Sequence, residues 1–350
     1  MKQTQDLVCL SHLRWGFVYQ RPQHLMSRAA RRFRVFYVEE PFFDSPEPHY
    51  KRFVDAESGV NIIAPHLPAG LAMEEAEREQ AALLRKVMED HGIEADVLWY
   101  YTPMALGFCR PANSSVVIYD CMDELSGFKG ASPLLRDREA ELFRTAHLVF
   151  TGGQSLYEAK RHLHPSIHPF PSSIDFHHFA QARNGIPRPA GQESVPHPRI
   201  GYCGVIDERM DLELLRECAN RRPEWHFIML GPVVKIDPAQ LPANPNIHYL
   251  GAKTYKELPA YLAGWDVAML PFARNDSTRF ISPTKTPEYL AAGKPAVSTS
   301  IRDVVRPYGE RELVFIGDTP DEFISGIEKA LALNRGEWQP RADDFLKLNS

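Results

Sequence analysis

Short apolar, β-branched or aromatic runs alternate with amphipathic stretches along the first half of the chain. The runs at Leu7–Leu10, Val35–Glu39, Val60–Ile63, Val97–Tyr101, Val116–Tyr119, Leu148–Thr151 and Ile167–Phe170 predict strands. The intervening stretches 22–33, 72–91, 133–146 and 154–163 predict helices. The clearest is 72–91, AMEEAEREQAALLRKVMEDH, built of strong helix formers and stopped by Gly92. Residues 181–198 (QARNGIPRPAGQESVPHP) are polar, rich in Pro and Gly and aperiodic, which predicts a linker.

Alternation then resumes. Strands are expected at Ile200–Cys203, Trp225–Leu230, Ile247–Leu250, Asp266–Leu270, Ala296–Thr299 and Leu313–Ile316. Helices are expected at about 211–221, 255–264 and 320–333, with a short one ending at Gly293. No helix is evident after 333. The expected organisation is α/β, with two Rossmann-like, doubly wound domains at 1–180 and 199–350 facing each other across a cleft. In such sheets ligands bind at the C-terminal strand ends, so the strand-to-helix loops should line that cleft.

Composition supports this picture and narrows it. A chain of 350 residues suits two domains. Its net charge of −5 lacks the basic excess of a nucleic-acid binder, so no nucleic-acid partner is expected. The run Arg28, Arg31, Arg32, Arg34 is the candidate local basic face. The five cysteines are scattered without a Cys-x-x-Cys pair, which argues against a disulfide framework or structural zinc and suits a reducing compartment. No stretch has the length of a signal peptide core or a membrane span. A cytoplasmic protein is expected, with peripheral contact at the inner membrane face left open.

The segment 280–299, FISPTKTPEYLAAGKPAVST, carries the most chemistry. A Ser282-Pro283-Thr284-Lys285 turn precedes a short helix, and Pro287 must lie in the first helical turn. A helix N-terminus offers unpaired N–H groups and partial positive charge to a phosphate, and Lys285 adds a full charge. Glu288 lies close enough to the same end to accept hydrogen bonds from a ribose diol. The competing reading is that Glu288 complements the helix dipole and Lys285 is a solvated surface charge.

EYLAAGKPAVST resembles the Glu-x3-Ala-x-Gly-x-Pro signature of GT-B glycosyltransferases, particularly the retaining family four. Three further segments are similar in the same order. GYCGVIDERMDLELL (201–215) looks like the turn opening the donor domain. FPSSIDFHHF (170–179) is similar to the segment closing the first domain, with Ser172-Ser173 in place of Asn-Gly. SHLRWGFVYQRPQHLMSRAA (11–30) resembles the opening of bacterial surface-polysaccharide transferases of the teichuronic-acid type. The resemblance implies that Glu288 holds the ribose hydroxyls and that Arg209 and Lys285 hold the pyrophosphate. Gly204 then admits the phosphate close to the backbone. Ser282 and Thr284 fall in the same donor-binding segment. An earlier sugar-contacting Glu of the family is replaced here by Phe280.

On the N-terminal side, Arg14, Trp15, Arg21 and His24 follow the opening strand, and Asp120 and Asp123 follow the strand VVIY. Arg14 and His24 are candidate catalytic contacts to the donor sugar, its phosphate or the acceptor. Trp15, Arg21 and Asp123 are candidate acceptor or sugar contacts. Asp120 matches a family position beside the transferred sugar and is the candidate general base or charge stabiliser. The alternatives are that Arg21 and Gln23 cap the helix, Trp15 packs, and the two aspartates cap a helix.

No Asp-x-Asp motif follows a strand and no histidine set has metal spacing, so no metal or other cofactor is expected. The implied activity is transfer of a sugar from a nucleotide-diphosphate sugar, expected to be UDP-linked, to a saccharide or lipid-linked acceptor. Two rivals stay open at this point: a sugar-nucleotide epimerase on the same fold, and a catalytically silent nucleotide-sugar-binding subunit. Absence of a Gly-x-Gly-x-x-Gly turn after the first strand disfavours a nicotinamide dehydrogenase.

Overall fold

A computed structural model describes residues 5–111, 116–171, 173–187 and 189–348. Ser172 of the segment 170–179 lies outside them. The chain divides into two compact units, Met1–Gly152 with Leu156–Phe170, and Pro171–Ser350 with Gly153–Ser155.

The first unit carries an eight-stranded sheet. Its strands are β1 (Asp6–Leu10), β2 (Arg34–Val38), β3 (His49–Val54), β4 (Asn61–His66), β5 (Val97–Tyr100), β6 (Val116–Cys121), β7 (Leu148–Thr151) and β8 (Ile167–Pro169). Helices α1 (Arg21–Ala29), α2 (Met73–His91), α3 (Leu135–Thr145) and α4 (Gln154–Lys160) connect them. The order is β3-β4-β2-β1-β5-β6-β7-β8, parallel throughout except for the antiparallel pair β3/β4. The interior strands read as continuous apolar runs because both faces are covered, as for β1 (DLVCL), which is buried along its whole length.

Strand β3 was not legible in the sequence. Its HYKRFV run is almost wholly exposed, so it has no buried face to leave an apolar signature. It is an edge strand blunted by Lys51 and Arg52, as exposed edges often are. The basic run on and after α1 is not one face either. Arg34 is bonded to Asp6 through two 2.7 Å contacts, and Arg28 donates to the His24 carbonyl within its own helix.

The second unit holds a six-stranded parallel sheet ordered β11-β10-β9-β12-β13-β14. Its strands are β9 (Arg199–Cys203), β10 (His226–Leu230), β11 (Ile247–Gly251), β12 (Val267–Leu270), β13 (Ala296–Ser298) and β14 (Val314–Ile316). The helices are α5 (Phe176–Ala180), α6 (Ala190–Glu193), α7 (Leu212–Arg221), α8 (Leu258–Ala263), α9 (Lys285–Ala291), α10 (Arg302–Val304), α11 (Pro320–Leu331) and α12 (Arg335–Lys347). From β9 the chain winds outward to β10 and β11, then returns to the other side of β9 as β12. The topological switch therefore lies between β9 and β12, where doubly wound sheets place their ligands. Gly201 in β9 gives the Trp265 indole its place, since a Cβ there would overlap the ring.

Two features depart from expectation. The 181–198 segment is not a free linker, and the first unit ends near Phe170 rather than at 180. Ala182, Gln192 and Val195 are buried in the second unit. Gln192 donates to the Tyr261 carbonyl at 2.9 Å and accepts from the Trp265 indole at 2.9 Å. Buried Arg199 donates to the carbonyls of Val195 and Glu193 at 2.7 and 3.1 Å. A polar, Pro-rich stretch looks like a linker because its partners are backbone carbonyls, which leave no periodic trace.

The second departure is α12, where no helix was expected after 333. Asn334 caps it, and Trp338, Ala342 and Leu346 face the core at four-residue spacing. Pro340 and the mixed polar sequence hid that stripe. Asp343 ties the helix down by pairing with Arg183 at 2.8 and 3.0 Å.

Candidate functional site

Strand β9 ends in Tyr202 and Cys203 and turns at Gly204, whose φ of +147° is reserved for glycine. A Cβ built there would strike the Cε atom of Lys285 and come within 2.7 Å of its Nζ. The ammonium of Lys285 therefore rests directly over the bare Gly204 backbone. The Tyr202 ring supports it from below, its centroid 5.9 Å from Nζ. Gly231, at the end of β10 with φ +143°, is packed so closely on the Gly204 carbonyl that no side chain fits. Lys285 has no carboxylate within ion-pair distance among the described residues.

Arg209 follows in the same turn, held differently. Its Nε and Nη2 grip the Asp207 carboxylate at 2.9, 3.1 and 2.7 Å, and Asp207 is buried. The Tyr202 phenol feels both members of that pair, which places Arg209 near the ring that supports Lys285. The two cations expected to act together are thus gathered by Tyr202, one uncompensated and one already paired.

Helix α9 begins at Lys285 as expected, with Thr284 at its N-cap and Pro287 in its first turn. At seven residues it is short, and its Thr286 N–H is taken by the Pro283 carbonyl. Most of the positive charge there comes from Lys285. Tyr289, fully buried, locks the helix to β9 by accepting the Cys203 N–H at 3.0 Å. Glu288 stands one turn into the helix, half-buried. Desolvation pushes its carboxyl up to about 7, against the opposing pull of Lys285 and a hydrogen bond from Thr284. Nearby Cys203 is pushed up to about 12 by burial and by the Glu288 charge. Gly204, Lys285, Arg209 and Glu288 thus share one corner of the second sheet, with Ser282 and Thr284 half-exposed on the approach to α9.

Because the folded-state value of Glu288 lies above its ordinary 4.5, the folded protein binds the extra proton between these two values. Its contribution to stability is full below the ordinary value and is lost as pH rises through about 7.

The N-terminal candidates separate into three groups. Asp120 and Arg21 find each other: the carboxylate is wholly buried, and Arg21 Nε meets its oxygens at 3.0 and 3.1 Å while Nη2 adds a 2.9 Å contact. Burial raises the Asp120 pKa and Arg21 opposes that shift. Arg21 Nη1 donates to the Phe170 carbonyl at 2.7 Å. In the structure each of the two is thus the other's partner. A fully enclosed carboxylate with both oxygens on one guanidinium has no room for a substrate proton, and Arg21 is occupied in turn. Asp123, half-buried in the loop after β6, adds a further attraction on Arg21.

Arg14 and Trp15 form a second group. Arg14 stacks on Phe42, its guanidinium carbon 3.5 Å from the ring centroid, and pairs with Glu40 at 3.2 Å. Trp15 packs edge-on to Tyr37 and its backbone N–H donates to the Glu39 carboxylate at 2.6 Å. His24 belongs to neither, lying edge-on to Tyr19 at 4.7 Å on the surface of α1. Gln20 and Gln23 cap that helix through a reciprocal capping box, so the helix-start reading of this loop was right in kind while Arg21 goes elsewhere.

Among the described residues no group of three or more His, Cys, Asp or Glu side chains is placed to hold a metal. Among the described residues no helix is long and apolar enough to cross a membrane. Sequence reasoning missed Tyr202, Asp207 and Gly231. Gly231 was the most visible of these, a glycine directly after an apolar strand and before Pro232.

Two largely parallel α/β sheet units give this chain the architecture of GT-B proteins. Residues 197–332 match the family described as Glycosyl transferases group 1. Over 264 residues the chain is 27% identical to a protein named as a teichuronic acid biosynthesis glycosyltransferase, TuaH, of Bacillus subtilis (strain 168). That match covers 69% of this chain and 64% of the relative's length. Sucrose-phosphate synthase (tll1590) from Thermosynechococcus elongatus has the same fold, with a TM-score of 0.72 at 13% identity over 99% of this chain and 94% of that one. A structure described as trehalose-6-phosphate from E. coli bound with UDP-2-fluoro glucose gives 0.70 at 12% identity, over 98% and 95% respectively.

Proposed function

We propose that the chain is a glycosyltransferase that moves a sugar from a UDP-sugar to a saccharide or lipid-linked acceptor in surface-polysaccharide or glycoconjugate synthesis. The observation that carries this reading is the corner made by Gly204, Lys285, Arg209 and Glu288. A bare backbone and two cations suit a diphosphate, and a carboxylate one helical turn away suits a ribose diol. The group 1 match over residues 197–332, the TuaH relative and the UDP-sugar in one structural neighbour support the same class of ligand.

In the proposed reaction the bond from the anomeric carbon to the diphosphate oxygen breaks, and the acceptor hydroxyl oxygen bonds to that carbon. Lys285, uncompensated and over Gly204, stabilises the charge growing on the leaving diphosphate. The acceptor proton passes to the departing phosphate oxygen, so configuration is retained. Inversion would need a protein base, and the candidate for that role, Asp120, is enclosed and paired with Arg21. No metal takes part in this scheme, since Lys285 and Arg209 supply the positive charge.

The test is a product assay with UDP-sugars and oligosaccharide or lipid-diphosphate acceptors, with excess chelator present throughout. Expected are an acceptor-dependent glycoside with retained anomeric configuration and release of UDP. An epimerised nucleotide sugar formed without acceptor would replace this reading with an epimerase. Loss of activity on chelation, restored by magnesium or manganese, would overturn the metal-independent scheme.

A pH prediction follows from Glu288. Only the ionised carboxylate accepts from both ribose hydroxyls, so UDP affinity is expected to rise as pH increases through about 7. Glu288→Gln should flatten that rise. The nucleotide's own phosphate titrates equally in both proteins, so the difference between the two calorimetric profiles isolates the carboxyl. Identical profiles would remove Glu288 from the site.

A further inference from the structure

Lys285 carries its charge at the end of a long flexible stem, which has much rotamer freedom to lose when a ligand orders it. A carboxylate partner would restrain that stem, but none lies within ion-pair distance among the described residues. What meets the ammonium is Tyr202. A Cβ built on Gly204 would lie 2.7 Å from Lys285 Nζ and 3.0 Å from the Tyr202 hydroxyl oxygen, so both side-chain tips converge on the bare glycine. Nζ stands over the Tyr202 ring, 5.9 Å from its centroid.

The ring is itself fixed. Tyr202 is buried in β9, and its hydroxyl donates to the Val205 carbonyl at 2.9 Å. Phe272 packs edge-on against it, with 6.4 Å between centroids. Burial pushes the Tyr202 phenol well above its ordinary value, so the ring stays neutral.

A carboxylate and an aromatic ring hold an ammonium differently. The carboxylate would bring a negative charge that opposes an approaching diphosphate. The ring attracts the cation through its quadrupole and adds no net charge. Ordering the stem before the ligand arrives lowers the cost of binding.

We propose that Tyr202 is a positioning residue for the donor: its ring holds the Lys285 ammonium over Gly204 for the diphosphate, without a charge that would repel that ligand. This rests on the nucleotide-sugar reading above and adds to it the group that places the cation. Tyr202 touches no substrate in this scheme and acts through Lys285.

The experiment alters the electronics of the ring and leaves its shape nearly intact. Tyr202 is replaced by phenylalanine and by its 4-fluoro, 3,5-difluoro and 3,4,5-trifluoro analogues, and UDP and UMP are titrated by calorimetry. Each fluorine draws negative charge from the ring face. UDP affinity is therefore expected to fall stepwise, ending roughly three- to thirtyfold below that of Tyr202→Phe. UMP, which lacks the second phosphate, should lose less than UDP at every step. The same series in a Lys285→Ala background should be flat, whereas a packing fault would persist there. Tyr202→Leu, which removes the ring, should weaken UDP at least as much as the trifluorinated ring does. A flat UDP series with Lys285 present, tighter binding on fluorination, or an equal decline without Lys285 would overturn the assignment. Failure of the wild type to bind UDP would refute the nucleotide-sugar reading and this assignment with it. An unresponsive series in a protein that binds UDP overturns this assignment alone.

Discussion

Lys285→Ala is expected to slow sugar transfer about a hundred- to a thousandfold, the scale on which loss of one group that stabilises developing negative charge is felt. The ammonium sits over the Gly204 backbone with the Tyr202 ring beneath it and no carboxylate partner among the described residues. Only the attraction of Glu288, which is not within ion-pair distance, competes with a leaving diphosphate for that charge. UDP binding should weaken less than turnover, because leaving-group charge grows towards the transition state. UMP should lose less affinity than UDP, and the UDP loss should shrink as salt rises. Arg209→Ala should have a smaller effect, since Asp207 already offsets that cation through three contacts of 2.7 to 3.1 Å. Lys285→Arg should not restore activity, because the space above Gly204 fits a slender ammonium stem and not a planar fork. Steady-state kinetics with calorimetry on UDP and UMP decides the matter. Unchanged turnover, or equal losses for the two nucleotides, would remove Lys285 from the phosphate site.

Asp120→Ala should destabilise the protein by about 3–5 kcal/mol, the usual cost of stranding a buried charge. The stranded group is the Arg21 guanidinium, itself buried at the start of α1. Asp120→Asn should cost less, because the amide oxygen still accepts one of the Arg21 hydrogen bonds. The double change Asp120→Leu with Arg21→Met removes both charges and should be less destabilising than Asp120→Ala alone. Denaturant unfolding followed in the first unit, for example by fluorescence of Trp99 beside this pair, checks the order of the variants. A stable Asp120→Ala protein with abolished transfer would reverse the argument and return Asp120 to a direct catalytic role.

These two sites show where the sequence was readable. Around Lys285 the chemistry lies in consecutive residues: a Ser-Pro-Thr-Lys turn, a proline fixing the start of α9 and a carboxylate three positions after Lys285. Local rules are enough to place such residues on one helix end. Around Asp120 the outcome depended on Arg21, 99 positions away. Nothing local distinguishes an aspartate facing a ligand from one enclosed by a distant guanidinium.

The sequence by itself determined the alternation of strands and helices, and with it two parallel α/β sheets. Buried parallel strands must be apolar runs, and the helices between them must be amphipathic. It also determined that Glu288 and Lys285 share a helix start, because proline and glycine fix the helix's two ends. The tertiary structure decided what local pattern cannot carry. It placed β3 at an exposed edge and folded residues 181–198 onto the second unit through hydrogen bonds to backbone carbonyls. It turned α12 inward on Trp338, Ala342 and Leu346. It also paired Asp120 with Arg21, set Lys285 over Gly204, and left the Glu208 carboxylate enclosed without a partner among the described residues. Each of these depends on which distant atom lies within about 3 Å, the reach of a hydrogen bond. Chain order does not encode that distance; packing of the whole domain does.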